Sequence, residues 1–136
     1  MKASGGCLCG AVRYEIDGEP LFAGHCHCTD CQKATGTGHV SVTGLPTAAV
    51  KFTGETKGYT VPGDSGQGYT RNFCPNCGSL VYGQAEAMPG MVNVTAGTLD
   101  DVTAFEPQFV IYTQSRPAWD RIDSGLPEFA TMPPRG

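Results

Sequence analysis

The sequence predicts an all-β domain of short strands in small antiparallel sheets around a structural zinc. Three observations predict it. Nineteen glycines and ten prolines are spread along 136 residues, which favours many turns over long helices. Apolar residues alternate over short runs such as 50–53 and 91–96, and no heptad or long amphipathic stripe occurs. Seven cysteines fall in close groups: Cys7 and Cys9; Cys26, Cys28 and Cys31; Cys74 and Cys77. An odd number of thiols at such spacings reads as metal ligation and not as a disulfide framework.

The length fits a single domain over residues 1–136, with a core from about 5 to 119. Pro127, Pro133 and Pro134 make 125–136 an irregular tail. A net charge of −4 and a pI near 5.2 argue against a nucleic-acid surface, which needs clustered Lys and Arg. No run of about 18 apolar residues could span a membrane. Met1 to Gly6 lacks the apolar segment of a signal peptide, so a reducing cytoplasmic location is expected.

Taken in order, residues 9–16 read as a strand with Cys7 and Cys9 at its head. Val12, Tyr14 and Ile16 lie on the parity opposite the thiols unless Gly10 carries a bulge. Asp17-Gly18-Glu19-Pro20 is a turn. Residues 21–28 form a second strand running into the three-thiol stretch. If Cys26 and Cys28 share one face of it, His25 and His27 share the other. Residues 29–34 suit one helical turn capped by Thr29 or Asp30. Short strands follow at 39–43, 50–53 and 57–61. Pro62 to Gly66 is a loop, expected to be the most mobile internal segment. Residues 69–73 lead as a strand into Cys74-Pro75-Asn76-Cys77-Gly78, a knuckle whose glycine tolerates positive φ. Residues 80–82 return from it. Residues 91–96 and 109–113 are further strands, with a turn or one helical turn at 97–101 between them. Ser115 to Trp119 is a loop holding the only tryptophan.

Cys7, Cys9, Cys74 and Cys77 make a four-thiolate set, the soft donor shell that selects zinc. The two halves lie about 65 residues apart, so a metal there closes a long loop and couples to folding. Cys26, Cys28 and Cys31 make a second set, one short of a tetrahedral shell. Either a protein group such as His25, His27, His39 or Asp30 completes it, with His39 the best placed, or the position is open for water or substrate. Three thiolates leave a divalent ion at about −1, a centre that acidifies water weakly compared with three neutral histidines. Holding a thiolate for attack on an electrophilic carbon, or the reverse carbon–sulfur cleavage, suits it better than hydrolysis. Cys26, Cys28 and Cys31 are therefore the candidate catalytic set. The competing reading is a non-catalytic zinc-binding module for a protein partner. Lys33, Arg71 and Arg116 are candidate contacts for an anionic substrate.

Three stretches carry a resemblance: Gly6 to Tyr14, His25 to Lys33, and Arg71 to Ser79. Gly97-Thr98-Leu99-Asp100 and Pro117-Ala118-Trp119 add to it. Together they resemble the family of glutathione-dependent formaldehyde-activating enzymes and centromere protein V. The resemblance implies the β-tent fold, a structural zinc on Cys7, Cys9, Cys74 and Cys77, and an active-site zinc on Cys26, Cys28 and Cys31. It implies a small thiol or thiol adduct as partner. In the named enzyme, glutathione joins formaldehyde to give S-hydroxymethylglutathione, a carbon–sulfur lyase reaction read backwards. Members often carry a histidine at the head of the strand leading to the tryptophan; Val110 stands there in this chain. The chain also leaves little room for a dedicated glutathione-binding extension.

Overall fold

The computed structural model describes residues 1–122 and 125–134. The last two residues of the expected tail, 135–136, lie outside the described residues. Among the described residues, ten strands form two sheets. β1 (Lys2–Gly6), β2 (Arg13–Asp17) and β5 (Val50–Thr53) make a three-stranded antiparallel sheet in the order β1-β2-β5. The other seven strands are β3 (Phe22–Cys26), β4 (Val40–Pro46), β6 (Lys57–Pro62), β7 (Gly68–Phe73), β8 (Leu80–Ala85), β9 (Met91–Thr95) and β10 (Phe109–Ile111). They pair in the order β10-β3-β4-β9-β8-β7-β6. The only α-helix among the described residues is α1 (Thr29–Thr35), between β3 and β4. The all-β expectation holds, with one departure from antiparallel pairing: β10 runs parallel to β3, with Ile111 opposite Cys26.

Two expected elements are corrected. Residues 9–12 are not strand. Cys7 to Val12 is a turn in which Gly10 takes φ +82° and donates to the Cys7 carbonyl at 3.1 Å, and β2 begins only at Arg13. This turn re-aims the chain, so Val12, Tyr14 and Ile16 enter the core while Cys7 and Cys9 converge at one end. The helix cap is neither Thr29 nor Asp30 but Cys28, whose sulfur accepts from the Cys31 N–H at 3.3 Å. β1 was not expected, because Lys-Ala-Ser-Gly-Gly has little strand propensity. Pairing to β2 and a clip hold it in place. The Ser4 hydroxyl donates to Asp100 at 2.8 Å, and the Arg13 guanidinium binds the same carboxylate through both terminal nitrogens.

The core lies between the sheets. Tyr14 and Ile16 of β2 and Val50 of β5 meet Leu45, Val81, Val92 and Val94 of the larger sheet. Tyr14 keeps its polar end satisfied by pairing its hydroxyl with Thr98 at 2.8 Å. Phe52 stacks on Tyr82 with ring centroids 4.1 Å apart, joining the sheets at the core's edge. Leu45 is fully buried in this layer. Leu45→Ala should cost about 2–5 kcal/mol, the usual range for a sealed leucine whose cavity cannot collapse. Urea denaturation of the two proteins at one metal loading checks it; a loss under half a kcal/mol would mean that the sheets are not packed through this residue.

The C-terminal segment adds no strand but is hydrogen-bonded along β10. Val110 N–H donates to the Pro127 carbonyl and Phe129 N–H to the Val110 carbonyl, each at 2.9 Å. Val110 is fully buried and aligned with His25.

Candidate functional site

The four-thiol group forms where the first turn of the chain meets the β7–β8 hairpin. A register shift at Asn72/Phe73 bends β7 just before Cys74. The knuckle then closes by Cys74 N–H to the Ser79 carbonyl at 3.0 Å and Gly78 N–H to the Cys74 carbonyl at 2.8 Å, with Gly78 at φ +79°. Leu8 N–H donates to the Ser79 hydroxyl at 3.0 Å and locks the two halves together. The sulfurs of Cys7, Cys9, Cys74 and Cys77 gather within 4.8 Å of one another. Cys7–Cys9 and Cys9–Cys74 stand 3.6 and 3.7 Å apart, against about 3.8 Å for sulfurs sharing a tetrahedral ion at ~2.3 Å. Backbone N–H groups turn inward, as the Val12 N–H does to Cys7 at 3.2 Å. That bond pulls the Cys7 thiol below its ordinary range, and the Ser79 hydroxyl and N–H pull Cys77 down to about 5. Stabilised thiolates are the form that binds metal. The group could hold a metal ion.

The three-thiol group has a different origin. Cys26 ends β3, Cys28 caps α1 and Cys31 lies in its first turn, so a strand-to-helix corner brings them together. Cys28 and Cys31 sulfurs are 3.0 Å apart. Their protons are shared: the Cys26 thiol's hydrogen bond draws Cys28 strongly down, and Cys26 itself is driven up. This group too could hold a metal ion. No fourth Cys, His, Asp or Glu joins it among the described residues. Asp30 is exposed on α1, and His25, His27 and His39 form a separate cluster, as strand parity predicts for the first two. Burial, then His39 and His27, push His25 down to about 4.

Of the three candidate cations, one reaches the thiols. The Arg71 guanidinium stands 3.6 Å from the Cys31 sulfur and lies over the Tyr69 ring, 4.8 Å from its centroid. It lines a narrow cleft with Cys31, Tyr69, Leu80, Tyr82 and Asn93. Arg116 is paired with Glu128 at 3.0 Å, and Lys33 is exposed on α1. Sequence reasoning missed Tyr112 and Asp64. Tyr112 follows the β10 residue opposite Cys26 and adopts φ +57°, the one non-glycine with positive φ among the described residues. Its hydroxyl donates to Asp64, in the loop after β6. A bulky residue held in this conformation costs free energy that surrounding contacts must supply. No sequence signal marks it, since Tyr112 and Asp64 are 48 residues apart.

The fold is shared with a solved structure, a crystal structure of a Rhodobacter sphaeroides protein, at a TM-score of 0.60 and 18% identity over 93% of this chain and 98% of that one. A curated relative from Halomonas elongata, provisionally named a glutathione-dependent formaldehyde-activating enzyme, is 26% identical over 137 aligned residues, covering 91% of this chain and 83% of its own length. The sequence profile of the glutathione-dependent formaldehyde-activating enzymes matches residues 2–115, a stretch that holds all seven cysteines and every strand, and the chain therefore belongs to that family.

Proposed function

We propose that the protein is a zinc-dependent enzyme of the carbon–sulfur lyase type, acting on a small thiol or thiol adduct at Cys26, Cys28 and Cys31. One observation carries the reading: three thiols converge beside a cleft, with a cation at its wall and no fourth side-chain ligand among the described residues. Cys7, Cys9, Cys74 and Cys77 hold a structural zinc in this reading. Family membership and the relative's name favour glutathione and formaldehyde as the substrate pair. No described helix is long and apolar enough to cross a membrane. We propose the reducing cytoplasm as its place, where thiolates persist.

Cys26, Cys28 and Cys31 would hold the zinc, which would supply a Lewis acid that favours the thiolate form of an incoming thiol. The protein's residues do the rest. Tyr69 and Leu80 wall the cleft and narrow water access. Arg71 offers N–H donors to a carboxylate of the thiol substrate, and stacking on Tyr69 holds those donors in place. In the forward direction a substrate sulfur lone pair forms the bond to the aldehyde carbon. The C=O π pair moves to oxygen, which takes a proton from solvent. In reverse the hydroxyl returns that proton to solvent, its oxygen pair re-forms the C=O bond, and the C–S pair leaves on the thiolate.

A charge-assisted hydrogen bond is worth roughly 1.5–3 kcal/mol, so Arg71→Met should raise KM for a carboxylate-bearing thiol about 10- to 100-fold. A neutral thiol should lose much less, only what the cation contributes to the Cys31 sulfur beside it. Equal effects on both would remove Arg71 from substrate binding. The reading itself is tested by zinc release to a colorimetric chelator. The three-thiolate metal should leave first, and a thiol substrate occupying the open position should slow that phase only. Loss of both metals in one phase, untouched by any thiol in a panel including glutathione, would leave the non-catalytic module as the better account.

A further inference from the structure

The opposite parity of β3 carries a second convergence of metal-binding side chains. His27 lies one residue past β3, His39 one residue before β4, and Asp120 in the loop beyond β10. Their donor atoms lie within 4.8 Å of one another. Asp120 Oδ2 sits between the two rings, 2.7 Å from His39 Nδ1 and 3.4 Å from His27 Nδ1. The Gly38 carbonyl oxygen is 2.7 Å from the same His27 nitrogen. Donors sharing a tetrahedral ion at ~2.0–2.1 Å stand about 3.3 Å apart, so these separations need only small adjustments to surround one ion. The packing makes room for the carboxylate: a side chain at position 38 would collide with Asp120.

Burial separates this group from an ordinary surface cluster. His27 is fully buried, and the side chains of His39 and Asp120 are 24% and 14% exposed. His27 Nε2 has no hydrogen-bond partner, so the ring's only polar anchorage is on the side facing Gly38 and Asp120. A sealed imidazole held on one edge is incompletely compensated for its lost hydration. The bonded edge, Nδ1, is the one turned toward the other two donors.

We propose that His27, His39 and Asp120 form a third metal site, selective for a divalent first-row transition ion, with the Gly38 carbonyl as an additional oxygen donor. Two imidazoles and one carboxylate are a harder donor set than either thiolate group, and suit zinc or ferrous iron. Loading moves each ring's proton from Nδ1, which donates to the Gly38 carbonyl or the Asp120 carboxylate in the metal-free state, to Nε2, so that a neutral imidazole binds through its freed Nδ1. The ion would fasten the C-terminal loop to both ends of the segment that carries Cys28 and Cys31.

The test uses the full chain, its thiolate sites first loaded with zinc, titrated with Co(II) and followed by absorbance and by metal analysis after gel filtration. Cobalt on nitrogen and oxygen donors gives weak d–d bands without the intense sulfur-to-cobalt charge-transfer absorption of a thiolate site. We expect one further equivalent of Co(II) with the weak spectrum only. Asp120→Asn and His39→Gln should each lose that equivalent while keeping the zinc content of the unaltered protein, a sign that the fold is intact. No weak-band cobalt on the unaltered protein overturns the proposal. So does binding that both substitutions leave unchanged. A charge-transfer band reports zinc exchange at the thiolates and is read separately, so failure of the three-thiolate reading would not be mistaken for failure here.

Discussion

Cys74→Ala should leave little soluble folded protein at room temperature. The four sulfurs draw on both sheets: Cys7 and Cys9 from the turn between β1 and β2, Cys74 and Cys77 from the hairpin of β7 and β8. A structural zinc contributes about 10–16 kcal/mol in small metal-dependent folds, and a domain's whole stability is about 5–15 kcal/mol. Removing one thiolate from a partly buried four-sulfur group would weaken its hold on a metal and untie sequence positions 65 residues apart. Circular dichroism and the soluble fraction after expression measure the outcome. A folded Cys74→Ala protein with an unchanged melting temperature would end the structural role assigned to this group.

Cys28→Ser has a large effect of a different kind. Activity toward the thiol adduct should fall about a thousandfold or more, the scale on which loss of a several-kcal/mol electrostatic contribution appears in rate. One metal equivalent should go with it. The fold should remain, because these three sulfurs span only residues 26–31 and tie little chain together. Serine is chosen over alanine because the Cys28 sulfur caps α1, and a hydroxyl keeps that cap where alanine would lose ~1 kcal/mol. The melting temperature should drop far less than for Cys74→Ala. If Cys28→Ser proves the more damaging to stability, the roles of the two groups are reversed.

Both thiol groups were legible because most of their information is local. Two or three cysteines at fixed short spacings leave few geometries, and two such motifs in one short chain imply their meeting. Strand parity was likewise enough to send His25 and His27 away from Cys26 and Cys28. The failures came where tertiary structure overrode local preference. β1 exists through its partner strand and the Asp100 clip, not its own residues. The 9–12 stretch alternates like a strand, but a positive-φ glycine turns it toward the four-thiol group. The parallel β10–β3 pair rests on residues some 85 positions apart, and a three-residue strand carries no periodicity to reveal it. Asp120, Tyr112 and Asp64 reach the functional face from loops, where no residue pattern announces a partner.

The hydrogen bonds between β10 and residues 127–131 have a consequence for self-association. A sheet ends in rows of unpaired backbone donors and acceptors that invite another chain to add a strand. The β6 edge of the larger sheet carries Lys57 at one end and Pro62 at the other, a charge and a missing donor that discourage such addition. β10 has neither defence in Phe-Val-Ile, an apolar β-prone triplet. The irregular C-terminal segment covers it instead, occupying Val110 and Tyr112 without offering a straight edge of its own. Cutting the chain after residue 126 would strip that cover from the larger sheet's vulnerable margin, and the shortened protein would be prone to edge-to-edge aggregation even with both cysteine groups intact.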